Sequence, residues 1–81
     1  MKRNSHAGNL DTCPRLQRVY SFLRQRKGKP VTTMQIIRGA NVAAVNSIIH
    51  ELRPQVKRFG EKILGRELGL TKGGAFQYQL M

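Results

Sequence analysis

Aliphatic residues recur at helical spacing in the middle of the chain and predict two consecutive helices. The aliphatic residues of the second predicted helix are Val45, Ile48, Ile49 and Leu52. Their spacing of i, i+3, i+4 and i+7 predicts a helix over residues 42–53 with one buried face. The opposite side of this helix is short, polar and nearly free of acids, which is typical of a recognition helix.

The first of these two predicted helices is shorter, and its apolar residues are Met34, Ile36, Ile37 and Ala40. A hydroxyl of Thr32 or Thr33 can cap its start, because it accepts a hydrogen bond from an otherwise unpaired backbone N–H. Residues 39–41 include Gly and Asn, which tolerate the left-handed conformation that ends a helix, and so predict a tight turn. Two helices joined in this way are typical of a helix-turn-helix.

A further helix is predicted upstream, where Pro14 suits the first helical position. Its apolar stripe consists of Leu16, Val19, Tyr20 and Leu23. Its exposed side carries Arg15, Arg18, Arg24 and Arg26. We expect this helix to end by Lys27 or Gly28 and to be followed by a short strand through residues 30–32.

Pro54 should stop or kink the second central helix, because proline inside a helix costs about 3 kcal/mol. Residues 55–59 can add one more helical turn, with Val56 and Phe59 facing inward. Gly60 then ends this turn, since glycine accepts the conformation required there.

The last part of the chain predicts a β-hairpin, with strands over residues 61–67 and 75–80. The residues that share one face of the second strand are Phe76, Tyr78 and Leu80. Two consecutive glycines at 73–74 favour the turn, because both accept positive φ. Three helices followed by such a hairpin predict an α+β fold, mainly α, of the winged helix-turn-helix type over residues 14–81.

Residues 1–13 lack periodicity and are rich in polar and charged side chains, which predicts a disordered basic arm. In this interpretation Lys2, Arg3 and His6 lie against phosphates or enter a minor groove. The alternative interpretation is a solvated tail, which is the default for a flexible chain end.

The net charge of the chain indicates its class of partner, which the hydrophobic content does not. Fifteen Lys and Arg residues oppose four acids, which gives a formal net charge of +11 in 81 residues. A small domain with this excess repels itself, so we expect a polyanionic partner. Nucleic acid and an anionic membrane both have the required charge.

A membrane is the weaker choice of partner. No segment approaches the roughly 20 apolar residues that span a bilayer, and no apolar run follows the basic start as it would in a secretory signal. Cys13 is the single cysteine, so an intramolecular disulfide is excluded and we expect a cytosolic protein. A dimer bridged through Cys13 is the alternative.

The outward face of the helix over residues 42–53 carries the candidates for base reading. Asn46 presents a donor and an acceptor on one amide, which match the two positions that adenine offers in the major groove. Ser47 can contact any base, Ala43 can touch a thymine methyl group, and His50 can donate or accept. The alternative is that Asn46 and Ser47 face solvent, and that Ala43 is small only to let helices approach.

A second set of residues is predicted to contact the DNA backbone through hydroxyl groups and cations. It comprises Thr32, Thr33, Arg53, Lys57, Arg58, Arg66 and Lys72, together with Lys2 and Arg3 of the arm. Arg66 and Lys72 belong to the hairpin, from which they can straddle the backbone or reach a minor groove. Any one exposed cation is more often solvated than in contact, so the prediction rests on the collective excess.

Catalysis finds little support in the sequence. The four acids, which belong to different predicted elements, are Asp11, Glu51, Glu61 and Glu67. His50 and Glu51 superficially match a zinc protease motif, but Pro54 stands where the second His is required. The two His and one Cys lack the spacing of a metal site. We therefore expect no enzyme, no cofactor and no metal.

The motifs that carry a family resemblance are TMQII, AVNS and ELR, at residues 33–37, 44–47 and 51–53. Gly60, Ile63 and the closing strand FQYQL at 76–80 follow in the expected order. On these residues the chain resembles the small winged helix-turn-helix proteins encoded in bacteriophage and prophage genomes.

The resemblance covers about residues 16–80, and the chain departs from the family pattern by extra residues at 54–59. Membership would imply double-stranded DNA binding in the bacterial cytoplasm or nucleoid, commonly in transcriptional control. A lone module of this size buries roughly 600–1,000 Å² on DNA, so high specificity would call for a homodimer or tandem sites.

Two other functions fit the same pattern. One is an architectural, excisionase-like or packaging factor that bends phage DNA and recruits a phage or host protein. The other is a protein-interaction winged helix whose basic surface docks an acidic partner and which has no affinity for duplex DNA. RNA binding is disfavoured, because we expect no exposed aromatic platform for stacked bases.

Overall fold

The structure, a computed structural model, describes residues 9–81. Its helices are α1 (Pro14–Gln25), α2 (Thr33–Ala40) and α3 (Val45–Val56). Its strands are β1 (Val31–Thr32), β2 (Ile63–Leu64) and β3 (Gln77–Leu80). Short 3-10 helices follow α3 and β2, at Lys57–Phe59 and Arg66–Leu68. The predicted α+β class is confirmed, since three helices accompany a small antiparallel sheet.

The three strands form one antiparallel sheet in the order β1-β3-β2. Val31 of β1 pairs with Tyr78, and Ile63 of β2 pairs with Leu80. The short strand predicted through residues 30–32 is therefore present as β1. Because β1 leads directly into α2, the central strand β3 ties the C-terminal hairpin to the start of that helix.

The predicted aliphatic stripe of α3 is buried. Its members, each exposed by 2 % or less, are Val45, Ile48, Ile49 and Leu52. They belong to one apolar cluster that includes Leu16 and Leu23 of α1 and Leu80 of β3. This burial fixes the rotation of α3 about its axis and turns the opposite side of the helix outward.

The turn between α2 and α3 forms largely as predicted. The Thr32 hydroxyl accepts a hydrogen bond from the Gln35 N–H at 3.1 Å, and the Gln35 side chain accepts one from the Thr32 N–H at 2.8 Å. This reciprocal pair is a capping box. Asn41 ends α2 with a left-handed φ of 55°. α3 begins at Val45 rather than at residue 42.

Gly39 belongs to α2 and not to the predicted turn. A methyl group at this position would lie 2.0 Å from Cε1 of Phe22, so glycine allows α1 and α2 to approach closely. Phe22 is only 8 % exposed, although it falls outside the stripe predicted for α1. The close contact between the two helices explains how this aromatic ring is buried.

The helix does not stop at Pro54. α3 continues to Val56, and the following 3-10 helix ends at Gly60, which has a left-handed φ of 73° as expected. Pro54 deprives the His50 carbonyl of its helical donor. Both residues lie on the exposed side of α3, so water can satisfy that carbonyl.

Two apolar side chains predicted to face the core are exposed instead, Met34 by 54 % and Phe59 by 51 %. The core side of the short helix α2 is supplied by Ile36 and Ala40, which leaves Met34 outside. Phe59 stacks on Tyr20 at the surface, with ring centroids 5.9 Å apart.

The end of the predicted arm packs against the fold. Leu10 is 5 % exposed, and its N–H donates a hydrogen bond to Oε1 of Gln55 at 2.5 Å. Leu10 is a single apolar residue among polar neighbours and belongs to no periodic pattern, so the local sequence does not predict its burial. Lys2 and Arg3, predicted to contact DNA, lie outside the described residues.

The first strand of the hairpin is shorter than the predicted 61–67. β2 ends before Gly65, whose N–H donates to Oε1 of Glu67 at 2.9 Å rather than to a neighbouring strand. Pairing resumes at an isolated antiparallel bridge between Leu70 and Phe76. The hairpin is thus interrupted by the 3-10 helix, and only its ends form strand pairs.

Gly39→Ala should destabilise the fold, although alanine is the better helix former. Helix propensity gains about 1 kcal/mol, whereas crowding a packed ring costs typically about 1–3 kcal/mol or more. With a contact this close, we expect a net loss of roughly 1–2 kcal/mol in denaturant unfolding. In a Phe22→Leu background the loss should shrink. An equal loss in both backgrounds would exclude Phe22 as its cause.

Candidate nucleic-acid interface

The outward face of α3 carries three of the four side chains predicted to read bases. Asn46, Ser47 and His50 are exposed, because the buried stripe occupies the other side of the helix. Ala43 is also exposed but precedes the helix. Ala43 and Ser47 line a hollow beside α1, whereas Asn46 lines a different groove, so the four do not form one compact cluster.

A concave groove of ≈ 870 Å³ lies between α3 and the C-terminal hairpin. Its cations are Arg53, Lys57, Lys62 and Arg66. Its other lining residues are Thr33, Asn46, Ile63, Leu64, Glu67, Phe76 and Tyr78. We call this surface the basic groove. It brings together residues from two parts of the chain, the exposed flank of α3 and the hairpin.

Gly65 allows the Arg53 side chain to lie close to the hairpin backbone. A methyl group at this position would lie 2.8 Å from Nη2 of Arg53 and 3.4 Å from the Tyr78 ring. The Arg53 guanidinium therefore lies directly over the Gly65 backbone, where any side chain would displace it. The sequence signal for Gly65 was weak, because an isolated glycine after a strand residue fits many local structures.

Asn46 is held by a contact that the sequence did not predict. The Tyr78 hydroxyl donates a hydrogen bond to Oδ1 of Asn46 at 3.2 Å. Tyr78 is 5 % exposed, so this bond joins α3 to the central strand of the sheet. It orients the Asn46 amide and leaves its two Nδ2 hydrogens for an acceptor outside the fold.

The acids of the chain do not neutralise the basic groove. Three of the four carboxylates pair with cations elsewhere: Asp11 with Arg58, Glu51 with Arg15, and Glu61 with Lys27. Within residues 9–81, no ion pair involves a cation of the basic groove. The positive charges of the groove are thus left for a ligand from outside.

Glu67 is the acid that lines the groove, and its carboxylate accepts a hydrogen bond from the backbone N–H of Gly65. Hydrogen bonds from backbone N–H groups, first that of Gly65, lower the pKa of Glu67 below its ordinary value. The nearby charges of Arg53 and Lys62 act in the same direction. One carboxylate faces four cations there, so the groove remains positive.

The residues predicted to contact the DNA backbone divide into two groups. Thr33, Arg53, Lys57 and Arg66 line the basic groove, which the sequence could not show. Thr32 caps α2, Lys72 lies at the hairpin turn, and Arg58 donates to Asp11 at 2.6 Å away from the groove. Lys62 of the groove was missed, because nothing in its local sequence distinguishes it from other surface lysines.

Part of the basic surface has a structural role. Nε of Arg18 donates to the carbonyl of Ala40 at 2.9 Å, and so satisfies a backbone group at the C-terminal end of α2. The guanidinium of Arg26 lies over the Phe22 ring, 4.0 Å from its centre. These arginines are explained by the fold itself and need no external partner.

Glu61 is the buried carboxylate of the described chain, with 8 % exposure. It accepts hydrogen bonds from the Tyr20 hydroxyl and from Nζ of Lys27, the latter at 2.8 Å. Burial opposes its ionisation, but these two donors outweigh burial, so the pKa of Glu61 lies below its ordinary value. Burial, and then the bond to Glu61, raise the pKa of Tyr20 to about 12. This network joins α1 to the segment after α3.

The structure also exposes aromatic rings, contrary to the expectation that disfavoured RNA. Phe59 is 51 % exposed on the side of α1, where Arg58 lies 4.8 Å from its ring centre. Phe76 is 48 % exposed and lines the basic groove. The sequence pattern placed Phe59 on the inward side of a helical turn and Phe76 on the same strand face as Tyr78 and Leu80. Their exposure is therefore decided by tertiary packing.

No group of three or more His, Cys, Asp or Glu side chains is arranged to hold a metal ion among residues 9–81. None of the described helices has the length and apolar character needed to cross a membrane.

Comparison of the chain with protein-family models, with curated proteins and with solved structures gave no match.

The Glu61 network predicts a loss of stability in acid. A lowered folded-state pKa contributes stability above the ordinary value of 4.5, and this contribution is lost as the pH falls through the folded-state pKa. The free energy of unfolding of Glu61→Gln should thus fall below that of the unmodified protein at neutral pH, and the difference should shrink below pH 4.5. Chemical denaturation over this pH range tests it, and a constant difference would contradict it.

Gly65→Ala should weaken ligand binding in the basic groove without changing the charge of the protein. The added methyl group would lie 2.8 Å from Nη2 of Arg53 and so displaces the flexible end of that side chain. We expect a several-fold loss of affinity for a polyanion such as heparin, measured by fluorescence anisotropy. Ser21→Ala, an exposed change on α1, is the control and should leave affinity unaltered. Equal affinity of the two variants would exclude a role for the position of Arg53 over Gly65.

Proposed function

We propose that this protein binds double-stranded DNA as a winged helix-turn-helix. In this proposal the N-terminal half of α3 enters the major groove, and the sugar-phosphate backbone runs along the basic groove. The hairpin from Ile63 to Leu80 acts as the wing, with Lys72 at its turn. The family resemblance extends the proposal to a regulator of the phage or prophage type that acts by occupying its site.

One observation carries this proposal: an exposed polar helix face adjoins a groove with four cations that no internal carboxylate pairs. Phosphates bind cations and fix the register of a protein on DNA, whereas short polar side chains on a helix contact base edges. These two kinds of side chain lie near each other: Arg53 of α3 and Lys57, which directly follows α3, line the groove, and Asn46 and His50 lie on the exposed side of α3.

Asn46 and the cations of the basic groove belong to different parts of its lining. Arg53 belongs to α3 and Lys57 directly follows it, so a strand of the duplex in the groove would lie among these two cations, Lys62 and Arg66. Asn46 lies closer to the start of the helix, where its Nδ2 hydrogens can reach an acceptor such as N7 of a purine. Ser47 and His50 have no internal side-chain partner within the described residues.

Two substitutions on α3 should differ in their effects on sequence preference. Arg53→Ala should weaken binding to all duplexes alike and reduce the salt slope by about 1, because it removes a phosphate contact. Asn46→Ala should cost about 1–3 kcal/mol on a preferred sequence and little on random duplex. Both effects can be measured by anisotropy, after selection of a preferred duplex from a random pool.

Arg24→Ala is the matched control for charge. Arg24 lies over the Tyr20 ring on α1, outside the basic groove, and its removal lowers the net charge by the same amount. It should leave duplex affinity nearly unchanged. If Arg24→Ala and Arg53→Ala weakened binding equally, the groove would have no special role. If no duplex bound at physiological salt, the acidic-protein alternative would replace the proposal.

A further inference from the structure

The basic groove contains a feature that phosphate binding alone does not require. Phe76 lines the groove and is 48 % exposed. Its ring stacks against Tyr78, with centroids 6.3 Å apart and an angle of 18° between the planes. Tyr78 is itself fixed by burial and by its bond to Asn46. Phe76 is therefore a supported aromatic surface that faces the groove.

The surroundings of Phe76 combine two kinds of chemistry. Four cations line the same space: Arg53 of α3, Lys57 directly after α3, Lys62 directly before β2, and Arg66 of the hairpin. An apolar ligand would leave these charges without an anionic partner, and an inorganic phosphate would make no stacking contact with the ring. A nucleotide satisfies both, because its base is a flat aromatic group and its phosphates are anionic.

A base pair inside a duplex cannot use the ring, since both faces of each base are covered by its neighbours. A base that is out of the helical stack exposes a face on which an aromatic side chain can stack. The groove has a volume of ≈ 870 Å³, within the range of about 300–1,000 Å³ that small-ligand sites occupy. It thus has room for one nucleotide with its flanking phosphates.

We propose that the basic groove binds an unpaired nucleotide, with its base stacked on Phe76 and its flanking phosphates beside Arg53, Lys62 and Arg66. This inference rests on the proposed function in that the partner is a nucleic acid. It adds a preference for sites where a strand leaves the duplex, such as a bulge, a frayed end or a single strand. The chemistry is shared by DNA and RNA, so the experiment includes both.

The experiment compares the full chain on labelled duplexes that are identical except for one unpaired adenine. The unpaired base is replaced in a parallel sample by 2-aminopurine, whose fluorescence is quenched when it stacks on an aromatic ring. We expect tighter binding to the bulged duplex than to the continuous one, together with quenching. Single-stranded DNA and RNA of the same sequence form the other two arms, and the arm with the higher affinity identifies the natural source of the base.

Phe76→Leu is the decisive variant, because it keeps an apolar side chain opposite Leu70 but removes the ring. Its preference for the bulged over the continuous duplex should fall roughly 5- to 150-fold, as expected when one base–aromatic contact is lost. Phe76→Tyr should restore both the preference and the quenching. Leu70→Ala, which alters an exposed apolar residue outside the groove lining, should keep the preference. Thermal unfolding of each variant checks that the hairpin is intact.

The outcomes separate this inference from the proposed function. Equal preference of Phe76→Leu and the unmodified protein for the bulged duplex would overturn the inference while leaving duplex binding in place. Binding to single strands that depends on Phe76, without affinity for continuous duplex, would support the inference and reject the proposed function. Absence of binding to every probe would overturn both.

Discussion

Burial of the aliphatic side of α3 is the constraint on which the other features of this protein depend. Ile48, Ile49 and Leu52 are exposed by no more than 1 % and pack with apolar residues of α1 and of β3. Rotation of the helix would exchange these side chains with polar ones, at about 1.5–3 kcal/mol for each apolar residue brought into water. The outward position of Asn46 and His50 is therefore a direct consequence of the core.

The second determinant is the separation of charge across the molecule. Three carboxylates are used in pairs away from the basic groove, and the fourth, Glu67, is turned onto its own backbone. Arg18 and Arg26 also have structural partners, a helix end and an aromatic ring. The net charge of the sequence therefore overstates the number of cations available to a ligand, and four cations without a carboxylate partner in an ion pair line one concave region.

The basic groove exists because the sheet holds a distant segment beside α3. β3 pairs with β1 and β2 on its two sides, and the Tyr78 hydroxyl reaches across to Asn46. Gly65 then allows Arg53 to lie against the hairpin backbone. These contacts bring Asn46 of α3, four cations and the ring of Phe76 together in one surface.

Local features of the sequence determined that three helices form, that a threonine at 32 or 33 caps the second and that a left-handed turn follows it, because periodicity and capping act within a few residues. Tertiary structure alone decided which side chains meet across the chain. The contact of Gly39 with Phe22 and the position of Arg53 over the hairpin join residues far apart in sequence. The spacing of residues along the sequence does not predict such contacts, since they depend on how the helices and strands pack against one another.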